Sequence, residues 1–246
     1  MTKLPIPFPK NPSLGNNQLI IEKSIKIKKA GNNGTLISFI LDESGSMASC
    51  YNETVAGYNE YIKGQRNQEG KCFVSLTKFE GGKTTNLYEN LDINEVPDLG
   101  RNNYNPAGGT NLLDAIGSTI LNVDSKLKTM KKKDRPSVLI IIMTDGEENC
   151  SRKFNNNQIK ELIKSCEKSN YTFMFLGANI DSFAVASSYG LSAGSTASYS
   201  TSNMSATMDV VGAATTRYRA LRAMGMSSAD ITTQGLYTTE ERNKIL

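Results

Sequence analysis

The chain has 246 residues, 38% of them hydrophobic and 21% charged, with a formal net charge of +4. This is the balance of an ordinary globular protein with room for one large domain or two small ones, and so mild a charge gives no argument for a nucleic-acid partner. Histidine is absent altogether, which removes Ser-His-Asp catalysis, Cys-His catalysis and His-containing zinc sites in one step.

Other classes fall on local grounds. No G-x-x-x-x-G-K-[ST] phosphate loop occurs. The four cysteines, Cys50, Cys72, Cys150 and Cys166, form no C-x-x-C pair, so free, mostly buried thiols in a reducing cytoplasmic setting are expected. Pro5, Pro7 and Pro9 interrupt the apolar segment that a signal peptide needs. No run approaches the roughly 18 apolar residues of a membrane span.

In chain order, residues 1–30 read as an N-terminal arm with an added edge strand, in which Leu19, Ile21, Ile25 and Ile27 alternate with mostly polar residues. Gly31-Asn32-Asn33-Gly34 is a turn that would make a hairpin with the strand after it. The apolar run Thr35 to Leu41 is a buried strand, and Tyr51, Val55, Tyr58 and Ile62 fall on one helical face. Cys72 to Phe79 is a strand, Gly81-Gly82 a tight turn, and Thr84 to Tyr88 the hairpin partner. An Asn/Gly/Pro-rich loop runs from about Asp98 to Thr110.

Leu113, Ile116, Ile120, Val123 and Leu127 mark a second helix, with Thr110 or Asn111 at its N-cap. A lysine cluster (Lys126, Lys128, Lys131, Lys132, Lys133) then reads as a solvated loop. Val138 to Met143 is apolar on both faces, as a central parallel strand covered on each side must be. A helix on Ile159, Leu162, Ile163 and Cys166, a strand Tyr171–Gly177 and a helix over Asp181–Tyr189 follow. Residues 190–203 form a loop or a short irregular strand. Met208, Val211, Thr215, Tyr218 and Leu221 mark a last long helix. Residues 226–246 are polar and read as a tail, in which Thr238-Thr239-Glu240-Glu241 has the form of a capped final turn. Strands alternating with helices make residues 31–225 one α/β domain with a mostly parallel sheet.

Two strands of this pattern run into an aspartate, Asp42 and Asp145. In open α/β sheets ligands bind at the carboxyl ends of strands where the strand order reverses. Neighbouring strands would bring both carboxylates to one rim. Asp42, Ser44 and Ser46 can turn their oxygens toward one point, and Gly108-Gly109-Thr110 adds a hydroxyl at a helix start. Oxygen donors of this kind suit a hard divalent cation such as Mg2+, with Mn2+ and Ca2+ as alternatives. Glu43, Glu147 and Glu148 flank the site and read as solvated charges. Asn179 and Asp181 follow a strand on the same rim, and Tyr51 and Tyr104 are aromatic candidates for partner contact.

The motif D-x-S-x-S after a strand, a later G-G-T opening a helix and a T-D-G after a second hydrophobic strand resemble the von Willebrand factor A domain. The resemblance covers about residues 33–224 and extends loosely to bacterial and phage members. It implies a three-layer, Rossmann-like fold with one antiparallel edge strand and helices on both faces. It also implies a metal-ion-dependent adhesion site (MIDAS), in which Asp42, Ser44, Ser46, Thr110 and Asp145 serve a metal. Ser44 and Ser46 would coordinate directly, Thr110 would join when ligand is bound, and the aspartates would act largely through water. The partner would be a protein supplying an Asp or Glu to the ion, in the host cytoplasm or, for a phage-encoded chain, in the virion. The expected class is therefore a binding module and not an enzyme. A Mg2+-dependent hydrolase or phosphoryl-transfer enzyme is one alternative, and an assembly protein with a structural metal is another.

Overall fold

The computed structural model describes residues 34–246; the arm and its edge strand, within residues 1–30, lie outside the described residues. A six-stranded sheet runs in the order β3-β2-β1-β4-β5-β6. Its strands are β1 (Thr35–Asp42), β2 (Cys72–Glu80), β3 (Lys83–Asp92), β4 (Ser137–Thr144), β5 (Tyr171–Gly177) and β6 (Thr196–Ser198). All neighbours pair in parallel except β2 and β3, which form the antiparallel hairpin at one edge. This is the expected three-layer, Rossmann-like fold, and its order reverses between β1 and β4.

The helices are α1 (Tyr51–Arg66), α2 (Leu112–Lys128), α3 (Asn156–Lys168), α4 (Ser182–Ser188), α5 (Met204–Ala223), α6 (Ser228–Gln234) and α7 (Thr239–Ile245). Alternation along the central strands divides the core in two. Ile37, Phe39 and Leu41 of β1, with Leu139, Ile141 and Met143 of β4, pack with Tyr58 of α1 and Val211 of α5. Leu36 and Ile40, with Val138, Ile140 and Ile142, pack with Ile116 of α2 and Ile163 of α3 on the other face. Every residue of β1 and β4 is buried, so the continuous apolar runs follow from helices covering both sides. Gly57 lets α1 and α5 approach closely, since a Cβ there would meet Met208 Cγ at 2.7 Å.

Residues 226–246 do not form a free tail. They fold into α6 and α7 and bury Ile231, Leu236, Tyr237 and Ile245 in the α1/α5 side of the core. The Thr238 cap is a full capping box with Glu241. Beside it Arg217 donates to both Glu241 carboxylate oxygens, at 2.8 and 2.7 Å, tying α7 to α5.

Candidate metal centre

β1 delivers Asp42 to the rim at 0% exposure. A buried carboxylate needs donors, and two loops provide them. The Ser44 N–H donates to Oδ1 at 2.7 Å, and the Thr144 hydroxyl donates to Oδ2 at 2.6 Å. Thr144 is the last residue of β4, so this bond ties the two central strand ends together across the point of reversal. Below them the Tyr104 hydroxyl donates to the Asp42 carbonyl at 2.7 Å, and the Tyr199 hydroxyl to the Thr144 carbonyl at 3.2 Å. The turn after Asp42 thus has little freedom, and it sets Ser44 and Ser46 at one spot, their hydroxyl oxygens 3.1 Å apart.

Asp145 meets them from the β4 side, where its Oδ1 accepts from the Ser46 hydroxyl at 2.6 Å. Thr110 arrives from the third loop. A Cβ on Gly146 would stand 3.2 Å from Thr110 Oγ1 and 3.7 Å from Ser46 Oγ, so both hydroxyls face the small space that this glycine leaves. Asp42, Ser44, Ser46, Thr110 and Asp145 are therefore brought together in one oxygen-lined rim.

The third loop is held by backbone contacts that admit little bulk. Ala107 N–H donates to the Glu43 carbonyl at 2.8 Å, and Gly45 N–H to the Gly108 carbonyl at 3.1 Å. Gly108 has φ +66, and a Cβ on it would lie 2.9 Å from Gly81 Cα. Both the backbone sign and the space require glycine there. Thr110 N–H in turn donates to Asn149 Oδ1 at 2.9 Å.

Electrostatically the rim is short of positive charge. Burial pushes the Asp42 carboxyl up to about 6, against hydrogen bonds from Thr144 and Ser44 that lower it and with a smaller upward push from Asp145. Burial raises Asp145 as well, opposed by the Ser46 hydroxyl. A divalent cation relieves two such carboxylates by favouring their charged forms. The donor set of two carboxylates and three hydroxyls, all oxygen, fits a hard ion. Among the described residues no cluster of three His, Cys, Asp or Glu side chains suits a metal, and this rim has two carboxylates and three hydroxyls.

Several flanking residues differ from the sequence expectation. Glu43 is not solvated: it is 6% exposed, pairs with Lys78 at 2.6 Å and accepts the Asn105 N–H at 2.5 Å. Glu148 caps the start of α2 by accepting the Leu113 N–H at 2.9 Å and also holds Ser151. Glu147 is exposed. Tyr104, at 0% exposure, cannot meet a partner, whereas Tyr51 is half-buried and stacks on it, with the Arg101 guanidinium 5.6 Å from the centre of the Tyr51 ring. Asn179 reaches the rim, its side-chain amide donating to the Asp145 carbonyl at 3.3 Å, while Asp181 caps α4. Sequence reasoning missed Thr144, although it stands inside T-D-G. Nothing local marked the pairing of Glu43 with Lys78, whose positions are brought together by the parallel pairing of β1 and β2.

No family model matches the sequence, and no curated protein does. Among solved structures the chain is similar in fold to proximal thread matrix protein 1 from the mussel byssus. The TM-score is 0.51 at 15% identity, over 77% of this chain and 47% of that one. The sheet order and the helices on both faces make the fold a three-layer, Rossmann-like α/β fold.

Two further similar structures are the manganese-loaded TRAP protein of Plasmodium vivax and a von Willebrand factor type A protein from Catenulispora acidiphila. The first has a TM-score of 0.48 at 17% identity, over 72% of each chain. The second has a TM-score of 0.48 at 12% identity, over 79% of this chain and 48% of that one. At such identities the likeness is one of fold. The chain spans about half the length of the byssus protein it matches. No helix among the described residues is long and apolar enough to cross a membrane.

Proposed function

We propose that this chain is a non-enzymatic, divalent-metal-dependent protein-binding module. Asp42, Ser44, Ser46, Thr110 and Asp145 would hold Mg2+, with Mn2+ or Ca2+ as substitutes. The observation that carries this reading is the meeting of five oxygen-bearing side chains from three loops at the point where the sheet order reverses. Bound there, the ion supplies an electrophilic position that takes a carboxylate. Two carboxylates and three neutral hydroxyls leave Mg2+ under-neutralised and short of its six oxygens, so an Asp or Glu from a partner protein completes it. The chain's own residues do the rest: Thr144 and Ser44 orient Asp42, and Glu43 with Lys78 holds the third loop against the first.

The reading assigns the rim no catalytic role: the chain has no histidine, and Lys78, buried in its pair with Glu43, is engaged. It is tested by capture from native lysate with the full chain as bait, in Mg2+ and in EDTA. Partners retained in Mg2+, released by EDTA and absent from an Asp42→Ala bait are expected. Identical partner sets in all three conditions would contradict it, and so would phosphatase or nuclease activity that Asp42→Ala abolishes.

A further inference from the structure

At the opposite end of the sheet from the metal rim lies a cleft of about 550 Å3. It opens beside the first residues of β4 and β5, and is bounded by the end of α2, the loop after it and the end of α5. β4 alone separates it from Asp145 by about 25 Å at the usual rise of a strand. Its volume is that of a small-molecule site.

The cleft is rich in donors and poor in acceptors. Lys128, Lys132, Arg135 and Arg222 line it, and its one carboxylate, Asp124, is taken up by Lys128 at 2.5 Å. Lys128 and Arg222 lie in the last turns of α2 and α5, where the helix dipole alone accounts for a cation. Lys132 and Arg135 have no such explanation. The Arg135 guanidinium donates only through Nε, to the Met130 carbonyl at 3.3 Å, and the Lys132 ammonium makes no hydrogen bond or ion pair among the described residues.

Two buried groups in the wall point the same way. Tyr171 lines the cleft at 4% exposure, and its hydroxyl has no hydrogen-bond partner among the described residues. Arg222 Nε is likewise buried and without one. Unmet buried donors are costly, and here two stand beside a cluster of cations. The N-terminal arm does not suit the cleft chemically, since residues 1–33 carry six lysines against the single acid Glu22.

We propose that this cleft is a second binding site, independent of the metal rim, for a small free phosphate-bearing molecule. Lys132, Arg135 and Arg222 supply the charge, and the Tyr171 hydroxyl supplies a directional donor. Phosphate matches because it brings several acceptor oxygens and negative charge at once.

The test is calorimetric titration of the full chain with inorganic pyrophosphate, in EDTA and at fixed ionic strength. Saturable binding at one site per chain is expected. The double variant Lys132→Glu/Arg135→Glu should weaken it at least tenfold. Tyr171→Phe, which removes one hydroxyl and no bulk, should weaken it several-fold with an unchanged melting temperature. No saturable heat, equal affinity in the double variant, or tighter binding of a short single-stranded oligonucleotide than of pyrophosphate would overturn the proposal.

Discussion

Thr144 shows how a residue with no charge can govern a charged site. Its hydroxyl donates to Asp42 Oδ2 at 2.6 Å and itself accepts the Gly146 N–H at 3.3 Å. Thr144→Val keeps the branched shape but leaves Asp42 without one of its two donors. Partners that orient a metal's ligands commonly contribute a factor of about 10–100 in affinity. Thr144→Val is therefore expected to weaken Mn2+ binding by about that factor while the far-ultraviolet circular dichroism stays native; unchanged affinity would deny Thr144 its orienting role. Asp42, Ser44, Ser46, Thr110 and Asp145 were legible in sequence because each sits in a short motif beside a strong strand or helix signal. Thr144 and Glu43 were not, since their roles are tertiary: one bonds across 102 residues of sequence and the other pairs across 35.

Among the elements, the long periodic ones were readable and the short ones less so. β1 and β4 announced themselves as continuous apolar runs, and α2 and α5 by apolar faces several turns long. α6 and α7 have seven residues each, too few for a period to emerge from the single buried isoleucine of each, Ile231 and Ile245. What holds them is tertiary: Ile245 is 0% exposed, and Arg217 grips Glu241. α5 is anchored at its other side by Arg219, which is 6% exposed and donates to the carbonyls of Gln65, Glu69 and Gly70 at the end of α1.

The docking of α7 has a pH signature. Burial alone would raise the Glu241 carboxyl, but the Arg217 guanidinium and the Thr238 cap hold it below its ordinary 4.5. A carboxylate with a lowered folded-state pKa stabilises the fold above 4.5, and that stabilisation is lost as the pH falls through the lowered value. Wild type should therefore lose α7 contacts in acid, read as faster amide exchange at Ile245, whereas Glu241→Gln should show the faster exchange already at pH 7 and little further change. Equal exchange in the two proteins at pH 7 would count against the Arg217–Glu241 clamp.

For the molecule as a whole, the sheet separates two chemistries. The carboxyl ends of β1 and β4 gather oxygens and negative charge, and the amino ends of β4 and β5 gather cations and unmet donors. Parallel strands make this polarity possible, because every strand but the antiparallel β3 presents the same end to the same side. The fold class could be read from strands alternating with helices. The point of reversal could not, because sheet order depends on which helices cover which face, and that is decided by packing spread over the whole chain.

The central claim is that the rim holds a divalent ion through hydroxyls as well as carboxylates. Electron paramagnetic resonance titration with Mn2+ tests it most directly, because it counts bound ions without a partner. One bound Mn2+ per wild-type chain, displaced by Mg2+ and lost in the Ser44→Ala/Ser46→Ala double variant, is the expected result. No bound Mn2+, or the same affinity without the two hydroxyls, would contradict it.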